Sequence, residues 1–138
     1  ISEHSAYHHG EVSLQGTIVG MAQDFVGSNN INLLTPSGQF GTRLQGGKDS
    51  ASARYIYTRL ERIARLIFHP DDDPILDFKS EEGQTIEPNW YIPVIPMVLV
   101  NGAEGIGTGW ATSLPNYNPR EIIAMLRKYI KKETIKQE

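Results

Sequence analysis

The chain has 138 residues, a formal net charge of −3, 39% hydrophobic and 21% charged residues. That is enough apolar material for one modest domain, or a domain with an appendage, and too little net positive charge for a generic nucleic-acid binder. The absence of cysteine excludes disulfide frameworks, thiolate metal sites and cysteine nucleophiles, and no apolar run approaches the roughly 18 residues of a membrane span.

Charge is distributed unevenly. Between Gly41 and Leu66 the bases Arg43, Lys48, Arg54, Arg59, Arg62 and Arg65 outweigh Asp49 and Glu61, for a net +4. Between Ile67 and Trp90 seven acids (Asp71, Asp72, Asp73, Asp77, Glu81, Glu82, Glu87) face one base, Lys79, for a net −6. The basic half suits a polyphosphate, with the acidic half turned away from it.

The opening Ile1-Ser2-Glu3-His4-Ser5 is neither basic nor apolar enough for a signal peptide. Leu14, Ile18, Met21 and Phe25 recur at helical spacing and predict a helix over Glu11–Phe25. Gly27-Ser28-Asn29-Asn30 breaks it. Ile31–Leu34, the turn Thr35–Gly38 and Gln39–Arg43 read as a short strand and its returning partner. A second helix is predicted from Asp49 or Ser50 to Phe68, with a stripe of Ile56, Leu60, Ile63 and Ile67, and Pro70 limits its end. Asp71–Pro88 reads as a polar, acidic loop or an exposed hairpin. Two prolines make the first half of Ile92–Val100 an edge strand or irregular, and Gly102, Gly105, Gly107 and Gly109 follow as a glycine-rich loop. Asn118, Pro119 and Glu121 occupy the N-cap, N1 and N3 positions of a last helix that buries Ile122, Leu126 and Tyr129 or Ile130. The expected fold class is α+β, of winged-helix type.

Several motifs fail on inspection. Gly41–Asp49 has the glycines of a phosphate-binding P-loop, but Gly47 stands where the lysine belongs and Asp49 follows Lys48 in place of a hydroxyl. Gly105-Ile106-Gly107-Thr108-Gly109-Trp110 lacks the third glycine of a dinucleotide fingerprint, and Pro115 interrupts any following helix. His4 and His8 have zinc spacing without the intervening Glu or a third ligand. Asp71-Asp72-Asp73 reads as a solvated acidic turn. No metal ligand is therefore assigned to this chain.

Two features remain. Ile106 is a lone branched residue among glycines; exposed apolar wedges of this kind insert between base pairs, although a plain glycine loop is the simpler reading. Tyr55 is rotated about 100° from the expected stripe residue Ile56, near a predicted helix N-terminus whose N–H groups favour anions. Tyrosine is ordinarily a poor nucleophile, ionising near pH 10, and a cationic pocket of Arg43, Lys48 and Arg54 offsets that cost and stabilises a pentacovalent phosphorane. Arginine suits the role because its planar fork engages two phosphate oxygens. On the residues alone, a tyrosine at the core edge with its hydroxyl in solvent is the simpler reading.

The motifs, taken together, resemble a known family. Ser2–Glu11, Phe40–Arg43 with Gly46–Asp49, Ala53–Ile56 and Asn101–Trp110 resemble, in order and spacing, the DNA-gate region of eukaryotic type IIA DNA topoisomerases. The resemblance implies a CAP-like winged-helix domain over residues 1–70, then an acidic linker, the DNA-contacting glycine-rich loop and the start of a tower domain over 71–138. It implies that Tyr55 is the nucleophile that becomes linked to a 5′ phosphate, with Arg54 stabilising the transition state. It makes Ile106 the intercalating residue, and Tyr7, His8, His9, Lys48 and Arg43 DNA contacts. It further implies a nuclear protein acting on double-stranded DNA as a homodimer. Mg2+ is then held by a Toprim domain and ATP by a separate ATPase domain, neither in these residues, so the chain is a fragment that does not turn over alone. The wording of the motifs implies a eukaryotic or viral source. The runner-up is a non-catalytic winged-helix DNA-binding module; a pure protein-interaction domain, which would not bind DNA at low salt, is a third.

Overall fold

The computed structural model describes Ile1 and residues 3–132. Ser2 of the opening motif and residues 133–138 of the expected second region lie outside the described residues. Helix α1 spans Glu11–Ala22, three residues short of the predicted Phe25. The backbone turns extended at Gln23, and Asn29 Nδ2 donates to the carbonyls of Gly20 (2.7 Å) and Gln23 (2.9 Å). Those bonds satisfy acceptors that the helix end leaves open.

The largest departure from sequence expectation lies between residues 49 and 61. No helix begins at Asp49 or Ser50; a single 3-10 turn covers Ala53–Tyr55, and helix α2 is only Arg62–Ile67. Residues 57–61 instead pair antiparallel with residues 33–37. Ser37 and Tyr57 exchange N–H···O bonds (3.1 and 3.0 Å), Thr35 N–H donates to Arg59 O (2.8 Å), and Glu61 N–H donates to Leu33 O (2.9 Å). Ile56, Tyr57 and Thr58 are β-branched or aromatic and favour an extended chain once a partner strand is available. The predicted stripe accordingly dissolves: Ile67 is buried, whereas Leu60 is 61% exposed. The expected hairpin of 31–34 with 39–43 is likewise replaced by the longer-range pairing. The end of α2 falls where Pro70 requires, with Phe68 as C-cap.

Beyond α2 the chain makes a 3-10 helix (Pro70–Ile75), then strands β1 (Phe78–Glu81) and β2 (Gln84–Pro88), one of the two forms predicted for this segment. Their turn, Glu82-Gly83, has positive φ at both residues (49° and 77°), the twist that suits a two-residue hairpin. Residues 92–96 are irregular, as their prolines demand, and a short helix α3 follows (Met97–Val100). The glycine-rich segment is not a loop. It forms strands β3 (Ala103–Gly107) and β4 (Trp110–Leu114), paired from Ala103↔Leu114 to Gly107↔Trp110. Helix α4 (Pro119–Ile130) starts as predicted, with Asn118 Oδ1 accepting from Arg120 N–H at 3.0 Å. It buries Ile122 and half-buries Leu126, but Tyr129 and Ile130 are exposed.

The architecture is mixed α and β. Its core cluster is Ile67, Ile95, Val100 and Ile122, flanked by Ile31, Leu33, Phe68, Met97, Leu99 and Leu126. Each such side chain contributes about 1.5–3 kcal/mol on leaving water. The cluster joins residues from both sides of position 70, so the hairpin β3–β4 and the strand leading from Tyr55 to α2 grow out of one packed base.

Candidate nucleic-acid interface

The basic segment is held in shape by side chains of the opposite kind. Asp49 caps no helix; its carboxylate accepts from Thr42 N–H and Thr42 Oγ1, both at 2.8 Å, closing the loop 42–49. The Thr42 amide, then its hydroxyl, hold the Asp49 carboxyl below the usual aspartate range. Gln23 Nε2 braces the loop from behind, donating to Phe40 O (2.9 Å) and Gly47 O (3.2 Å). Gly41 sits at φ 115°, and a Cβ there would come within 2.7 Å of the Gly47 backbone, so only glycine allows the loop to close. Arg43 and Lys48 belong to this loop; Arg43 is exposed, and Lys48 lines an open groove of about 450 Å³ that runs between α1 and residues 46–53.

Tyr55 ends the 3-10 turn that borders this groove, and it is 71% exposed. The turn is closed by Tyr55 N–H to Ser52 O at 2.9 Å. The Arg54 guanidinium lies 5.9 Å from the centre of the Tyr55 ring. No long helix begins at Tyr55, so the helix dipole predicted from the sequence is not available there. The positive charge placed against this tyrosine is that of the Arg54 guanidinium.

The N-terminal residues behave differently from one another. Tyr7 Oη donates to Ser13 Oγ (2.8 Å), and its ring meets His9 edge-on at 5.4 Å. His8 turns to the acidic hairpin, with Nε2 3.3 Å from Glu81 Oε1. Beside it, Ala6 N–H reaches both oxygens of Glu87 at 3.0 Å. Glu87 is held below the usual glutamate range by its own backbone N–H first, then by that of Ala6, with smaller contributions from Lys79 and His8. Asp73 of the acidic run pairs with Arg65 (2.7 Å), and among the described residues no three His, Asp or Glu side chains gather to hold a metal ion.

Ile106 stands near the tip of hairpin β3–β4 and is 94% exposed. Its cross-strand partner is Ala111; Trp110, 86% exposed, pairs with Gly107 on the opposite face. An apolar side chain raised this far from any core has no cavity to fill in its own chain. Sequence reasoning missed the carboxamides that hold this arrangement: Gln23, Asn29, Asn30, Asn101 and Asn116. The Ser28-Asn29-Asn30 run reads as a helix breaker; its second meaning, side chains that replace missing backbone partners, is the available signal.

Known proteins share the sequence and fold of this chain. A family model for the A-type subunit of DNA gyrase/topoisomerase IV matches residues 1–138, and the chain belongs to that family. It is 70% identical over 130 residues to DNA topoisomerase 2 of Drosophila melanogaster, covering 94% of this chain and 9% of the relative. It is 66% identical over 135 residues to DNA topoisomerase 2 of Pisum sativum (98% and 9%), and 59% identical over 137 residues to that of Saccharomyces cerevisiae (99% and 10%). A solved structure, the Plasmodium falciparum topoisomerase II DNA-binding, cleavage and re-ligation domain, superposes with a TM-score of 0.94 at 61% identity, over 98% of this chain and 18% of that one. The chain thus spans about a tenth of the length of the three topoisomerase 2 relatives and is homologous to part of the cleavage and re-ligation region of eukaryotic type II topoisomerases.

Proposed function

We propose that this chain is the tyrosine-bearing part of the DNA gate of an ATP-dependent type II DNA topoisomerase. The exposed Tyr55 with Arg54 against its ring, beside a basic loop braced by Asp49 and Gln23, carries this reading. Tyr55 Oη attacks a DNA phosphorus, the bond from phosphorus to the 3′ oxygen breaks, and the phenolic proton is lost. The products are a tyrosyl ester of the 5′ phosphate and a free 3′ hydroxyl, which attacks back to reseal the strand. Arg54 binds the non-bridging oxygens as charge develops on them. Arg43, Lys48, Tyr7 and His9 position the backbone; His8 joins them once it leaves Glu81. Ile106 enters the base stack and bends the duplex.

Residues 1–70 act as the winged-helix domain, and 71–138 carry the linker, the wedge and the start of a tower domain. Magnesium would be held by a Toprim domain rather than by the described residues of this chain, and would supply neutralisation of phosphate charge. ATP acts at a further domain to drive strand passage. Two copies are required because a duplex has two strands. The protein works in the nucleus, where changes of DNA topology accompany chromosome segregation. Among the described residues no helix is long and apolar enough to cross a membrane.

Covalent capture tests the reading. The chain is mixed with a separately prepared Toprim domain, magnesium or calcium and end-labelled duplex, then stopped with detergent. If no adduct forms, the intact dimeric protein is assayed in the same way. A protein–DNA adduct that maps to Tyr55 and disappears in Tyr55→Phe, a loss of at least about 10³-fold, is the expected result. An adduct on another residue, or none from the intact dimer despite salt-sensitive DNA binding, favours a non-catalytic DNA-binding module.

A further inference from the structure

Every residue from 104 to 113 is exposed, so hairpin β3–β4 is an arm without lateral support. Its direction is set at its neck. Asn30 Nδ2 donates to Val100 O (2.9 Å) on the way into the arm and to Tyr117 O (2.8 Å) on the way out. Asn101 pairs with Ile31 at two points, accepting its N–H at 3.0 Å and donating to its carbonyl at 2.9 Å. Asn116 Nδ2 donates to Ser28 O at 2.7 Å. Gly102, at φ 71°, leaves no room for a side chain, since a Cβ would lie 2.6 Å from Asn116 Oδ1 and from Leu114 O.

We infer that Asn30, supported by Asn101 and Asn116, is a positioning residue that sets the angle of the arm and thereby the depth to which Ile106 enters DNA. The inference rests on the proposed gate function. The same residues 28–31 follow closely on Gln23, which braces the basic loop, and include Asn29, which caps α1. One short run of carboxamides therefore fixes the wedge relative to the phosphate-binding loop. The lever is long: four residues of strand from Gly102 to Ile106 extend about 13 Å. A tilt of about 10° at the neck shifts the tip by about 2 Å, against a base-pair rise of about 3.4 Å. A polar hollow of about 400 Å³ beside the neck, lined by Gln23, Asn29, Asn101, Glu104 and Asn116 among others, gives a released arm space to swing.

The test uses the full-length protein and a short duplex with a donor and an acceptor dye at its ends. Bending, salt-dependent binding and thermal melting are measured in parallel. Asn30→Ala removes two hydrogen bonds. The bent fraction relative to the unbent complex is expected to fall roughly tenfold, with affinity for straight duplex and its salt slope within about threefold of the wild type. Asn116→Ala, losing one bond, is expected to give about a threefold fall, and it decides the matter if Asn30→Ala does not fold. Unchanged bending in the folded variants overturns the inference, as does a parallel loss of melting temperature, binding and bending together. If the wild type leaves the duplex straight, or Ile106→Ala bends it equally well, the gate reading itself fails.

Discussion

Hairpins β1–β2 and β3–β4 share a backbone plan and differ in everything their side chains do. Each is a pair of antiparallel strands joined by a two-residue turn with a glycine at positive φ (Gly83 and Gly109). The first carries Glu81, Glu82 and Glu87 and is strapped to the N-terminal segment through Ala6 and His8. The second carries Ile106 and Trp110 on opposite faces and is exposed beyond its neck. The carboxylates of the acidic hairpin engage the protein's own Ala6 amide and a histidine. The apolar side chains of the second stay in water, where burial against a partner is the only gain open to them. The same scaffold yields an internal strap in one case and an exposed apolar arm in the other, and side-chain chemistry separates them.

The largest effect is expected where the base beneath β3–β4 is removed. Ile67→Ala, in the cluster from which that hairpin and the strand leading to α2 grow, is expected to cost about 2–5 kcal/mol in urea unfolding; a loss under about 1 kcal/mol contradicts that core. Next in size is the exposed tip of β3–β4. Ile106→Ala is expected to lower DNA bending and cleavage about 10- to 100-fold in a dye-labelled duplex assay while leaving the unfolding midpoint unchanged. A shift of that midpoint instead would mean that Ile106 packs within the protein.

Smaller effects sharpen the contrast between basic and acidic regions. Lys48→Ala is expected to weaken binding to all duplex sequences alike and to reduce the slope of log affinity against log salt by about 0.9. A sequence-selective loss would place Lys48 on base edges rather than phosphates. The smallest effect concerns the strap. Because Glu87 is held below its ordinary range in the folded chain, its stabilising contact is present above that range and is lost as pH falls through the lowered value. The protection of the Ala6 amide, its exchange rate relative to an unstructured amide at the same pH, should therefore fall on acidification below the usual glutamate range. Glu87→Gln, which keeps an oxygen acceptor without the charge, should abolish that pH step; persistence of the step in the variant would assign it to another group.

The start of α4 is legible because Asn118, Pro119 and the amide of Arg120 interact within three residues. The end of α2 is legible for the same reason, as Pro70 acts on its immediate neighbours. Tyr55, Arg54 and Ile106 stand out through motif resemblance more than through periodicity, and the structure leaves Tyr55 and Ile106 exposed. Periodicity misleads between 49 and 61, where Ile56 and Leu60 fit a helical stripe that the chain does not use.

What the sequence by itself determined is thus its local punctuation: caps, prolines, turn glycines, the division of charge and the identity of the motifs. Tertiary structure alone decided that residues 33–37 would pair with 57–61, that the glycine-rich run would rise as a hairpin, and that asparagines near position 30 would clamp a neck some 70–87 residues away. The physical reason is one of range. A helix cap is satisfied within a turn of chain, whereas strand pairing and carboxamide bonds to a distant carbonyl depend on which partner the packed core brings within about 3 Å.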